Sequence, residues 1–346
     1  MSLIMKAMKF TEPRRSEIVD VPKPMPEKGE VLVKVKATGI CASDIMAFKG
    51  EHPWRIPPVI TGHEISGTIV ELGSEVKDLE LGERVAIEPH IGCGMCIFCR
   101  HGHYHVCPNK RFIGVGEWIG GFSEYVVAAE AMCYLLPEGM THEEGAALEP
   151  FCVGLHAVLR AHITLGETVA ILGCGTIGMM TLISAKIGGP GKIIVSDISS
   201  FKRELALRSG ADLAIDPTHQ DPVKEVLTAT EGLGVDVVFI AVPLEIALRQ
   251  GLQMCRRMGR VILIATFHGE SAFDTKGIQV YERSLIGTSM YTREDYQLAL
   301  ELWKRGSVDL RPLITRRIAL EEAPQMISSM ADGTRGDEIK TVICFD

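Results

Sequence analysis

Thr168-Val169-Ala170-Ile171-Leu172-Gly173-Cys174-Gly175-Thr176-Ile177-Gly178 decides the fold. A short apolar run, the mark of a buried strand, gives way at once to glycines and then to an amphipathic stretch reaching Ile187. Gly-x-Gly-x-x-Gly between a strand and a helix is the pattern that brings backbone against a pyrophosphate. Gly173 makes the tight turn, Gly175 admits the phosphates, Gly178 lets helix and strand pack closely, and the amides around Thr176 and Ile177 face the anion at the helix N-terminus. Asp197, 19 residues after Gly178 and at the end of the next strand-like run (Ile193 to Val195), has the position and chemistry to accept both ribose hydroxyls of an adenosine. Its charge would repel a 2′-phosphate, so the expected cofactor is NAD. Lys202 or Arg203, just beyond, is a further candidate contact to the adenosine, though a solvated helix face explains both equally well.

Outward from this unit, strands and helices alternate. Residues 151–164 read as helical, Lys202 to Arg208 as a charged helix, Val235 to Ile240 and Arg260 to Ala265 as buried strands, with Leu244 to Arg257 helical between them. That alternation predicts an α/β doubly wound parallel sheet, a Rossmann-type unit over 151–290. Residues 1–150 are different: strand-like Val31 to Val35, Gly67 to Val70, Arg84 to Ile87 and Tyr125 to Val127 are punctuated by Gly and Pro turns, which predicts a mostly β domain.

The chain has 346 residues, 46% apolar and 23% charged, enough for two domains. Its net charge of −8 argues against a nucleic-acid partner. No run reaches the roughly 20 apolar residues of a membrane span, and Lys6 and Lys9 interrupt the N-terminal stretch. A cytoplasmic protein is expected, so its ten cysteines need a reading other than disulfides. Cys93, Cys96, Cys99 and Cys107 form C-x2-C-x2-C-x7-C, four thiolates suited to a closed tetrahedral zinc site; iron–sulfur ligation uses the same ligand type, and spacing alone does not choose. His101, His103 and His105 read as loop surface. Cys41, His63, Glu64 and Glu149 are scattered, but thiolate, imidazole and carboxylate are the ligands zinc accepts at an open site.

Taken in order, Cys41-Ala42-Ser43-Asp44, Gly62-His63-Glu64, the four-cysteine lobe, Glu149-Pro150 and the glycine loop resemble the zinc-containing medium-chain dehydrogenases. Gly62-His63-Glu64-Ile65-Ser66-Gly67 and Glu144 to Pro150 are most similar to the sorbitol, polyol and threonine branch. The resemblance implies a GroES-like catalytic domain over 1–150, completed by 291–346, and two zinc ions per chain. Cys41, His63 and Glu64 would hold the catalytic zinc, with Glu149 as fourth ligand or as the carboxylate that holds a water. Ser43 would meet the substrate hydroxyl, and Asp44 would orient His63. The implied reaction is NAD-linked oxidation of a secondary alcohol, foremost a polyol of the sorbitol or L-iditol kind, with L-threonine 3-dehydrogenase as the alternative. A homo-oligomer, dimer or tetramer, is implied as well, with apolar Val261 to Ile264 expected near a sheet edge. Where many relatives carry a relay histidine this chain has Met46, leaving water or His52 to complete the proton path. Trp54, Phe112 and Trp118 are candidates for the pocket or for plain loop packing. Two other classes weigh against this reading: a silent relative using its sites for stability, for which intact ligands have no physical need, and a zinc-free quinone or enoyl reductase, which would lack the cysteine lobe.

Overall fold

The computed structural model describes residues 3–267, 269–334 and 336–346. The chain divides into two compact units: Met1–Glu149 with Thr292–Lys304 and Asp309–Asp346, and Pro150–Tyr291 with Arg305–Val308.

The second unit is built on six parallel strands in the order Leu213–Ile215, Lys192–Ser196, Thr168–Leu172, Val235–Ile240, Cys255–Leu263, Ser284–Gly287. The chain therefore starts at Thr168–Leu172, winds outward one way, then crosses back to Val235–Ile240 on the other side. Such a reversal opens a crevice at the carboxyl ends of the two central strands, and the glycine loop lies there, directly after Leu172. Val169, Ile171, Val237, Val238 and Phe239 are fully buried, as expected of strands covered on both faces.

Two boundaries differ from the sequence expectation. The helix expected to run to Arg257 ends at Met254, and Cys255 already begins the next strand. Arg256 and Arg257 already lie in that strand, and Met258 (φ 59°) bends its exposed entry. Val261 and Ile262 are buried in the fifth strand, while the edge is Ser284–Gly287. The helix expected from residue 151 starts at His142 and carries Glu149 and Pro150 in its interior.

In the first unit a seven-stranded sheet runs Ile314–Ala319, Lys340–Cys344, Glu30–Gly39, Glu64–Leu72, Arg84–Ile87, Cys133–Leu135, with Tyr125–Ala129 also paired to Glu30–Gly39. The C-terminal strand joins antiparallel, Val342 opposite Gly39. That register delivers Lys340 to the end of Glu30–Gly39, where the chain turns into the helix Ala42–Lys49. Phe10, Phe48 and Phe122 pack edge to face beneath this helix at centroid separations of 5.5 and 6.4 Å.

Candidate active site

Cys41 is the N-cap of Ala42–Lys49, and its amide donates to Asp44 Oδ2 at 2.9 Å, fixing the first turn. His63 and Glu64 come from the opposite side, at the start of the strand Glu64–Leu72. Gly62 before them sits at φ 96°, and a Cβ there would meet the Phe122 ring at 2.6 Å, so only glycine turns the chain inward at this point. One donor atom from each of Cys41, His63 and Glu64 lies within 4.8 Å of the other two. Glu149 is also buried, but it stands outside this group.

The surroundings are charged and largely dry. Asp44 accepts from Thr61 Oγ1 at 2.7 Å, and its Oδ1 is 3.6 Å from His63 Nδ1. That is an ion-pair separation, too long for a hydrogen bond, and His63 Nδ1 has no hydrogen-bond partner among the described residues. Burial pushes Asp44 up, but the His63 and Arg55 charges facing it hold its carboxyl well below the usual range. Burial and Arg55 push His63 down; Asp44 overrides both and lifts it to about 10. Lys340, 1% exposed, donates to both Glu64 oxygens at 2.7 Å and to the Ile40 carbonyl at 2.9 Å, using all three of its protons. Burial acts to lower Lys340, but the neighbouring Glu64, Cys41 and Glu149 charges raise it.

Sequence reasoning missed two cations here, Lys340 and Arg55. Arg55 Nη1 donates to Ser43 Oγ at 2.7 Å. His52, considered for the proton path, instead accepts the amides of Trp54 and Arg55 on Nδ1, and burial beside Arg55 pushes it down to about 4. Phe112 lies edge-on to His63 at 5.9 Å, whereas Trp118 donates to the Val127 carbonyl and Trp54 is 67% exposed.

The four-cysteine lobe places all four sulfurs within 4.8 Å of one another. The Cys93–Cys99 and Cys96–Cys107 pairs are 4.0 and 3.8 Å apart. A tetrahedron with zinc–sulfur bonds of about 2.3 Å has edges of about 3.8 Å, so the lobe fits that ion. Gly92 is required beside it, because a Cβ would fall 2.7 Å from Cys99 Sγ. His101 and His103 are exposed as expected, but His105 is buried, drawn in by the short 3₁₀ turn Tyr104–Val106.

In the other unit, Gly173 adopts φ 97° and Gly178 packs so closely that a Cβ would lie 1.7 Å from the Gly173 carbonyl oxygen. A Cβ on Gly175 would meet nothing within 4 Å, leaving open space before the helix Thr176–Ile187. Thr176 and Ile177 are partly exposed at that end. Asp197 accepts the amides of Cys174 (2.7 Å) and Ser199 (2.9 Å), one on each oxygen, which keeps the carboxylate fixed with lone pairs to spare. Lys202 is tied by its amide to Ser199 Oγ at 3.4 Å.

Comparison with known proteins agrees with this geometry. Residues 27–138 match the alcohol dehydrogenase GroES-like domain, and residues 176–305 match the zinc-binding dehydrogenase domain. An L-threonine 3-dehydrogenase of Pyrococcus horikoshii is 38% identical over 92% of both chains, and a sorbitol dehydrogenase of Bacillus subtilis is 34% identical over 92% of this chain and 91% of its own. A Sinorhizobium meliloti structure assigned as a zinc-binding dehydrogenase, with NADP bound, superposes with a TM-score of 0.93 at 32% identity over the full length of both. No described helix is long and apolar enough to cross a membrane. The chain belongs to the zinc-containing medium-chain dehydrogenases, oxidoreductases acting on CH–OH groups of alcohols with a nicotinamide dinucleotide.

Proposed function

We propose that this chain oxidises a secondary alcohol, foremost a polyol of the sorbitol or L-iditol kind, to the ketone with NAD. The observation that carries the reading is the group of half-buried Cys41 with buried His63 and Glu64, a carboxylate standing where a second thiolate would make a different ligand field. These three residues would hold the catalytic zinc, whose chemistry when bound is Lewis-acid activation of an alcohol oxygen. Asp44 faces His63 Nδ1, where it would accept that nitrogen's hydrogen and orient the ring, and it fixes the Cys41 turn. Ser43, its oxygen accepting from Arg55, has a second lone pair with which to take the proton of the substrate hydroxyl, while its own proton passes outward. Glu149, outside the ligand group, is assigned to hold a water rather than the metal. Cys93, Cys96, Cys99 and Cys107 would hold the second, closed zinc.

Preference for NAD rests on Asp197 and on Arg203. The Arg203 guanidinium is taken up by the Asp197 carbonyl and by Asp216, each at 2.8 Å, so it is not offered to a 2′-phosphate. L-Threonine is the second reading, favoured by the 38% identity to a threonine dehydrogenase. A cytoplasmic homo-oligomer, dimer or tetramer, belongs to the same proposal; free cysteines and the unpaired outer edge of Ser284–Gly287 support it. The test is NAD reduction across a panel of polyols, sugar acids, L-threonine and simple alcohols, with and without a zinc chelator. Chelator-sensitive reduction by one substrate group is expected; silence across the panel in zinc-loaded, NAD-binding protein contradicts the assignment.

A further inference from the structure

Two buried cations flank the Cys41–His63–Glu64 group, and they are served very differently. Lys340 spends all three protons on Glu64 and Ile40. Arg55 is 4% exposed, yet among the described residues only one of its five guanidinium protons is engaged, on the neutral oxygen of Ser43. Its Nε has no hydrogen-bond partner, and among the described residues no carboxylate pairs with it. The Asp44 charge faces Arg55, but its oxygens already serve Thr61, the Cys41 amide and His63 and make no ion pair with the guanidinium. The guanidinium rests 5.1 Å from the centre of the Phe112 ring, which itself abuts His63. A cation–π contact offsets only part of the cost of a buried charge, which is ordinarily met by a counter-charge.

Arg55 is also held in place. Its amide donates to His52 Nδ1 at 3.0 Å, and Val59, four residues on, makes a reciprocal pair of backbone bonds with Phe10, each at 2.9 Å. The backbone carrying Arg55 is thus fixed, and its guanidinium, held on Ser43 and the Phe112 ring, is an under-used fork matched to carboxylate or phosphate oxygens.

We propose that Arg55 is a specificity-determining residue that receives an oxyanion, carboxylate or phosphate, borne by the alcohol substrate close to its reacting carbon. The inference rests on the dehydrogenase reading above and replaces its neutral polyol with a hydroxy compound that carries an anionic group. Inorganic phosphate and acetate then mimic the anionic end of the substrate and compete with the alcohol.

The experiment has two arms, each on zinc-loaded wild type, Arg55→Gln and Arg55→Lys. In the first, calorimetry measures inorganic phosphate and acetate binding to the NAD complex. Arg55→Gln is expected to weaken the preferred anion about 10- to 100-fold, the worth of a charge-assisted hydrogen bond, and Arg55→Lys to recover part of the loss. The second arm compares kcat/KM for a neutral polyol, its phosphate monoester and a hydroxy or amino acid. The anionic-to-neutral ratio is expected to fall at least about tenfold in Arg55→Gln, and whichever anion loses more identifies the source. Unchanged anion binding in Arg55→Gln, or equal losses on neutral and anionic substrates, would show that Arg55 only holds Ser43 and overturns the proposal. If wild type reduces no NAD with any alcohol, the dehydrogenase reading fails, while the calorimetric arm still decides whether Arg55 receives an anion.

Discussion

Lys340→Met removes an ammonium and leaves a side chain of similar length in the same buried slot. Glu64, 1% exposed, then keeps its charge with no counter-ion, and the Ile40 carbonyl loses its donor. Breaking one side of a buried pair costs about 3–5 kcal/mol. In a unit of about 200 residues a kcal/mol moves the midpoint by about 2–4 °C, so the thermal midpoint of metal-free protein should fall by roughly 6–20 °C. Glu64→Gln in the Lys340→Met background removes the stranded charge and should restore most of the loss, giving a coupling of at least about 2 kcal/mol in the double-mutant cycle. With zinc restored, the ion supplies part of the missing counter-charge to Glu64, and the deficit should shrink. Scanning calorimetry of the four proteins, with and without a chelator, checks all three statements. A Lys340→Met midpoint within about 2 °C of wild type, or strictly additive losses, would refute the pairing as the support of Glu64.

Gly39→Ala would place a Cβ 1.7 Å from Glu64 Oε2, so the carboxylate must leave its seat. Zinc content measured by atomic absorption should drop by one ion per chain while the cysteine lobe keeps its own; two retained ions would contradict the placement. Asp197→Ala should weaken NAD and relax discrimination against NADP, at least about tenfold in the ratio of kcat/KM values, and an unchanged ratio would remove Asp197 from the ribose site. Acid stability should follow His142. Its Nδ1 donates to Ser66, whose hydroxyl goes to the Val85 carbonyl, and Arg84 faces Nε2, so burial and this cation push His142 down to about 4. Between pH 6.5 and 4 the unfolded chain takes up a proton that the native one refuses, so stability falls as pH drops through that window. Urea unfolding at pH 7 and pH 5 should show a smaller loss for His142→Gln than for wild type.

What the sequence discloses and what it withholds divide along distance in the chain. The glycine loop, Asp197 and the four cysteines are legible because each acts through neighbours a few residues away, in a spacing that chemistry dictates. Cys41, His63 and Glu64 become legible only as an ordered set, since nothing local to any of them announces a ligand. Lys340 is invisible because its role depends on Val342 pairing with Gly39, a register set some 300 residues apart. Arg55 is hidden differently: a loop arginine reads as solvated, and burial alone makes it informative. The start of the helix His142–Ala161 was available in the sequence. Thr141 and Glu144 exchange backbone and side-chain bonds at 3.1 and 3.2 Å, the reciprocal cap spelled by Thr-x-x-Glu.

The most direct test of the central claim is zinc stoichiometry measured together with turnover in Cys41→Ser. Wild type should hold two zinc ions per chain and reduce NAD with its alcohol. Cys41→Ser should hold one, bind NAD as before and turn over nothing. Turnover undiminished in Cys41→Ser, or wild type active with no zinc at all, would contradict the account.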